Sequence, residues 1–178
     1  MDCRCRVNRF SGGNSIPGIN FFHMNDPVRE QVVQLLRGGQ AHVTFDDAVK
    51  DFPAKLRGVR PSGAEHSAWE ILEHIRIAQW DIFEFSRSAK HVSPKWPEGY
   101  WPKTNKPTDA SWRKTIAAIE KDCAAMITLV ENPRTDLLAK IPHGSGQTIL
   151  REAMLIADHN AYHIGELVLL RRILGAWK

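Results

Sequence analysis

Four stretches of this chain carry apolar residues at three-and-four spacing, and no stretch of any length alternates as a strand does. That pattern confines the fold to helices packed on helices. Asp26 and Pro27 open the first stretch, Val28, Gln31, Val32, Leu35 and Leu36 mark its inner face, and Gly38-Gly39 closes it. A short helical piece is expected from Thr44 to Phe52, ahead of Pro53, and residues 53–66, rich in Gly, Pro and Arg, read as a loop. Ser67-Ala68-Trp69-Glu70 spells a capping box for a helix running to about Ala89 through Ile71, Leu72, Ile75, Ala78, Ile82 and Phe85. After a connection with prolines at 94, 97, 102 and 107, Thr108 or Asp109 caps a third long helix bearing Ile116, Ile119, Cys123, Met126, Ile127 and Val130. Gly144-Ser145-Gly146 turns the chain into the last helix, expected from about Gln147 to Leu174. The expected fold is all-α, a four-helix bundle.

Composition narrows the class further. With 178 residues, 43% hydrophobic and 25% charged, the chain suits one globular domain and is too apolar to be disordered. No apolar run approaches the roughly 18 residues a membrane span needs. Lys and Arg number 24 against 20 Asp and Glu, a net charge of +4 that is scattered, so a nucleic-acid surface is not expected. Cys3 and Cys5 are too close together to staple a fold and Cys123 stands alone, which points to a reducing cytoplasm. Residues 1–23 hold Arg4, Arg6 and Arg9 but no apolar core of a secretory signal, and read as a flexible leader. The domain is then 24–178, with Met24 as an alternative start.

The last helix carries the chemistry. At 100° per residue, Ile149, Glu152, Ile156, His159, His163, Leu167, Leu170 and Leu174 fall within an arc of about 80°. His159 and His163 therefore face the core one turn apart, where two imidazoles must be hydrogen-bonded or converge on an ion. His74, on the apolar face of its own helix, is the candidate third ligand, giving a three-histidine site with coordination positions open to water or substrate. Glu70, Asp81 and Glu152 share these faces, and each is a candidate further ligand, orienting partner or base. The plain structural alternative is a core histidine pair bonded to Asp81, Glu152 or a buried water.

Two segments, Ser67-Ala68-Trp69-Glu70-Ile71-Leu72-Glu73-His74-Ile75 and Ala157-Asp158-His159-Asn160-Ala161-Tyr162-His163-Ile164-Gly165-Glu166-Leu167, resemble the DinB-like superfamily of metal-binding four-helix bundles. The resemblance extends from about Met24 over nearly the whole chain. It implies an up-down-down-up bundle, often a homodimer, with His74 matching the first metal ligand and His159 and His163 matching the pair on the last helix. It further implies a divalent ion (zinc, nickel or iron) and one of two activities. One is metal-dependent hydrolysis; the other is a transferase reaction using a low-molecular-weight thiol with a small-molecule substrate. The contrasting reading is a non-enzymatic bundle with a structural or regulatory metal, acting as a dimer or through a protein partner.

The remaining candidates have plainer readings. Trp96, Tyr100 and Trp101 are expected to pack over the bundle end, with a place at the mouth of the site as the other reading. His143-Gly144-Ser145-Gly146 is read as a loop and cap rather than a phosphate cradle, and Cys123 as a small core residue. His23, His42, His66 and His91 are expected in solvent, and Arg171-Arg172 is read as facing the helix dipole.

Overall fold

Each helix begins at a residue chemically equipped to start it. A computed structural model describes residues 26–177, and all of its regular elements there are helical, apart from one isolated bridge between Lys140 and Thr148. The expected leader, Met24, Cys3, Cys5 and His23 lie outside the described residues. Helix α1 spans Pro27–Arg37, with the Asp26 carboxylate accepting from the amides of Val28 and Arg29, and it ends at Gly38, whose φ of 67° an L side chain rarely adopts. Helix α2 is one turn, Phe45–Val49, capped by Thr44. It stops short of the expected Phe52 because the chain turns at Lys50 and Asp51, which delivers Phe52 into the core.

Helix α3, Ala68–Arg87, starts from the Ser67/Glu70 box; α4, Asp109–Glu131, is capped by Thr108; α5 runs Ile149–Ile173 behind Thr148, two residues later than expected. Single 3₁₀ turns form at Ala54–Leu56 and Glu98–Tyr100. No helix of the described residues is long and apolar enough to cross a membrane.

Helix α3 packs on α4 and α5, α1 packs on the same two, and α2 closes on α5. The apolar side chains divide into two clusters. One gathers Phe52, Trp69, Leu72, Ile75, Trp112, Ile164 and Leu167; the other gathers Val32, Leu36, Met126, Val130, Ile149 and Ile156. Each fully buried side chain of this kind contributes roughly 1.5–3 kcal/mol. On α5 the segment between Ile156 and Ile164 joins the two clusters, and it carries His159, Asn160 and His163.

The proline-rich connection is laid along α3 by hydrogen bonds. The Trp69 indole N–H donates to the Thr104 carbonyl at 2.8 Å, and the Asn105 side chain donates to the Gly58 carbonyl at 2.8 Å. Any Cβ at Gly58 would stand 2.5 Å from the Asn105 carbonyl oxygen, so glycine is required for this approach. Arg171 does more than face the dipole. It is buried, donates to the carbonyls of Asp47, Ala48 and Ala176, and stacks over Phe52 and Trp177. It clamps α2 to the end of α5.

Candidate metal centre

Helix α3 presents His74 and helix α5 presents His159 and His163 to one point. Each ring offers a nitrogen, and the three nitrogens all lie within 4.8 Å of one another. His74 and His163 are buried and His159 is half-buried. Helical period accounts for the α5 pair; the packing of α3 on α5 brings in the third ring.

Hydrogen bonds settle which nitrogen faces inward. His74 Nδ1 lies 3.0 Å from the Tyr100 carbonyl oxygen, and a carbonyl can only accept, so Nδ1 carries the proton and Nε2 the lone pair. His163 Nδ1 donates to the Glu166 carboxylate at 2.6 Å, and its Nε2 is likewise left unprotonated. His159 Nε2 faces His74 Nε2 at 3.1 Å. Two zinc–nitrogen bonds of roughly 2.0–2.1 Å at a tetrahedral angle separate their nitrogens by about 3.3 Å, so this spacing suits two ligands of one ion. The donor set also fits, since neutral imidazoles with their far nitrogens held by oxygen are what zinc, nickel and iron accept.

Electrostatics keep the rings neutral. Burial drives His159 down to about 4, with neighbouring charge on His163 and His74 acting the same way and the adjacent Asn160 and Asp158 opposing. Burial also drives His163 down to about 4, with His74 and His66 adding to it. His74 is lowered mainly by burial. Burial raises the Glu166 carboxyl.

None of the three carboxylates singled out by sequence joins the imidazole cluster. Glu70 is tied to Ser67 as a cap and to Arg60 as an ion pair. Glu152 pairs with Arg151 at 2.6 Å. Asp81 accepts from His91 at 2.7 Å and from the Tyr100 hydroxyl at 2.6 Å. Through Tyr100 it reaches the site indirectly, since the same residue's carbonyl holds His74. Burial and the Asp81 carboxylate push the Tyr100 hydroxyl up to about 12, so it stays a donor.

The residues that sequence reasoning missed are Glu166, Trp101 in contact with the site, His66 and His91. Glu166 follows His163 by three residues, about 60° round the helix, just outside the apolar arc. Trp101 does not simply cover the bundle end. Its ring stacks on His74 (centroids 4.3 Å apart, 11° between planes) and on His66 (3.8 Å, 19°). His66 is therefore not a solvated histidine, and neither is His91, whose side chain is only 7% exposed against Asp81. Trp96, 68% exposed, touches Tyr100. His42 is exposed, and His143 is a loop residue bonded to the Phe85 carbonyl, with Thr148 capping α5 behind it. Burial raises the half-buried Cys123 thiol, which suits a packing role.

A family model described as the DinB superfamily matches residues 29–167, a span that includes all three imidazoles. No curated protein and no solved structure matches the chain.

Proposed function

This chain belongs to the DinB superfamily, and from that premise we propose that it is a metal-dependent enzyme whose single divalent ion is held by His74, His159 and His163. The observation that carries the reading is the convergence of three imidazoles whose far nitrogens, in two of the three, are locked by oxygen atoms. Three ligands leave coordination positions open, as in catalytic rather than closed structural sites. A bound zinc, nickel or iron ion would supply Lewis acidity that makes water or a low-molecular-weight thiol nucleophilic near neutral pH.

The chain's own residues then have defined tasks. Tyr100 and Glu166 hold protons on the Nδ1 atoms of His74 and His163 and so aim their lone pairs. Trp101, wedged between His66 and His74, shields one flank of the site from water. The reaction is hydrolysis or thiol-dependent transfer, in a cytoplasmic setting. An up-down-down-up four-helix arrangement, with α2 as an added turn, belongs to the same reading. So does a homodimer, for which α5 offers the exposed side chains of Met154, Tyr162, Leu169 and Ile173 along one face.

Cobalt(II) titration tests this. One equivalent should bind and give the visible absorption of a nitrogen-ligated site, and a low-molecular-weight thiol should then add a thiolate-to-cobalt charge-transfer band if the thiol reaction is correct. Binding without that band favours hydrolysis. No binding removes the proposal. Chelation should leave the helices folded; a large loss of melting temperature would favour a structural metal in a non-enzymatic bundle.

A further inference from the structure

Tyr100 and Glu166 explain two of the three rings; His159 has no such oxygen. Its Nδ1 is buried and has no hydrogen-bond partner, and one other described buried side-chain atom shares that condition: Oδ1 of the neighbouring Asn160. A chain of amides fixes which way Asn160 points. Gln79, 1% exposed on α3, donates through Nε2 to the Ile119 carbonyl of α4 at 2.7 Å. That carbonyl can only accept, so Gln79 must turn Oε1 toward α5. Asn160 must then answer with its NH₂ group, and Nδ2 donates to Gln79 Oε1 at 2.7 Å. Oδ1 is the atom left over, next to His159.

We infer that Gln79 and Asn160 form a positioning relay that holds His159 as the Nδ1–H tautomer and so turns its Nε2 lone pair toward the metal. The relay runs from the Ile119 carbonyl through two amides, each of whose orientations is dictated by the one before. It rests on the proposed metal site, and it explains why two amides are spent between the apolar clusters. Gln79 and Asn160 also line an apolar cleft of about 250 Å³ between α1, α4 and α5, where none of the three imidazoles, Trp101 or Glu166 stands. The relay therefore approaches the site from the side away from Trp101. Both amides are positioning residues, since neither belongs to the cluster of ligand nitrogens.

The test is the ¹⁵N spectrum of the histidine rings in metal-free protein at neutral pH, for wild type, Gln79→Met and Gln79→Glu. The wild type should show His159 with a protonated Nδ1 and an unprotonated Nε2, against the 3.1 Å contact with the unprotonated His74 Nε2, which by itself favours the opposite tautomer. Gln79→Met frees Asn160 to rotate and should give mixed tautomers, with cobalt(II) affinity falling about ten- to a hundredfold. Gln79→Glu, neutral in so buried a place, can donate to Ile119 and accept from Asn160, and should restore both readouts. If Gln79→Met does not fold, Asn160→Asp replaces it: the donor to Gln79 goes, an acceptor for His159 stays, and the tautomer should persist. A wild-type His159 protonated on Nε2, or a tautomer unmoved by Gln79→Met, overturns the relay. A wild-type protein with the expected tautomers that binds no cobalt overturns the metal reading and leaves the relay standing.

Discussion

The two apolar clusters and the polar segment between them are built on opposite principles. In the clusters, Leu72, Ile75, Met126, Ile156 and Leu167 are essentially inaccessible, and what each contributes is area removed from water. Between them, His74, Gln79, Asn160 and His163 are held by hydrogen bonds whose direction matters more than their number. Burial there raises the cost of charge, so rings that would be half-protonated near neutrality in water stay neutral and available. The difference teaches that folding and the proposed metal recognition draw on separate residues, and should be open to separate disturbance.

The sharpest separation pairs two substitutions. His163→Ala should abolish metal uptake while far-ultraviolet dichroism still reports a helical protein. Leu72→Ala, at a position with 0% exposure, should cost about 2–5 kcal/mol in chemical denaturation and leave metal stoichiometry per folded molecule unchanged. Metal lost in both, or in neither, would erase the distinction. A smaller effect is expected at Glu166→Gln, which keeps an acceptor for His163 but removes its charge. Affinity should fall by about ten- to a hundredfold at unchanged stability, as a competition titration with a coloured chelator would read.

Smaller still are effects confined to the start of α3. Ser67→Ala should cost about 1 kcal/mol through loss of the cap and leave the metal in place, as parallel melting and metal analysis would show. Glu70 adds a pH signature. Burial pushes its carboxyl up, but hydrogen bonds from Arg60 and Ser67 outweigh that and hold it below the usual 4.5. A carboxyl lowered on folding contributes stability that is present above the unfolded value and lost as pH falls through the folded one. Glu70→Gln should therefore be less stable than wild type at pH 7, with the gap closing below about pH 4.5. A gap that persists into acid would mean that the charge contributes nothing.

What the sequence made legible follows the same division. Caps at Asp26, Thr44, Ser67 and Thr108 are local, as is the apolar period, so the helices could be read from neighbours a few residues apart. The inward placement of His159 and His163 is local too. Their meeting with His74 depends on how α3 packs on α5; the apolar face of its helix made His74 the candidate third ring, and the resemblance matched it to the first ligand. Trp101 and His91 were illegible because residues 88–108 have no period, and His66 because its partner is Trp101. Their contacts exist only once Asp81, Trp69 and Gly58 have laid that connection along α3. Glu70, Asp81 and Glu152 lie on the right faces, yet each finds a nearer partner in Arg60, His91 or Arg151. A face says where a carboxylate points, and only the neighbours say what it is bonded to.

The central claim is the joint ligation of one ion by three rings from two helices. Anomalous diffraction from crystals grown with zinc, collected on either side of the metal's absorption edge, addresses it directly. The account predicts one peak per chain, about 2.0–2.1 Å from Nε2 of His74, His159 and His163, with at least one position not filled by protein. A peak that leaves out His74, or a site closed by a fourth protein ligand, would contradict it.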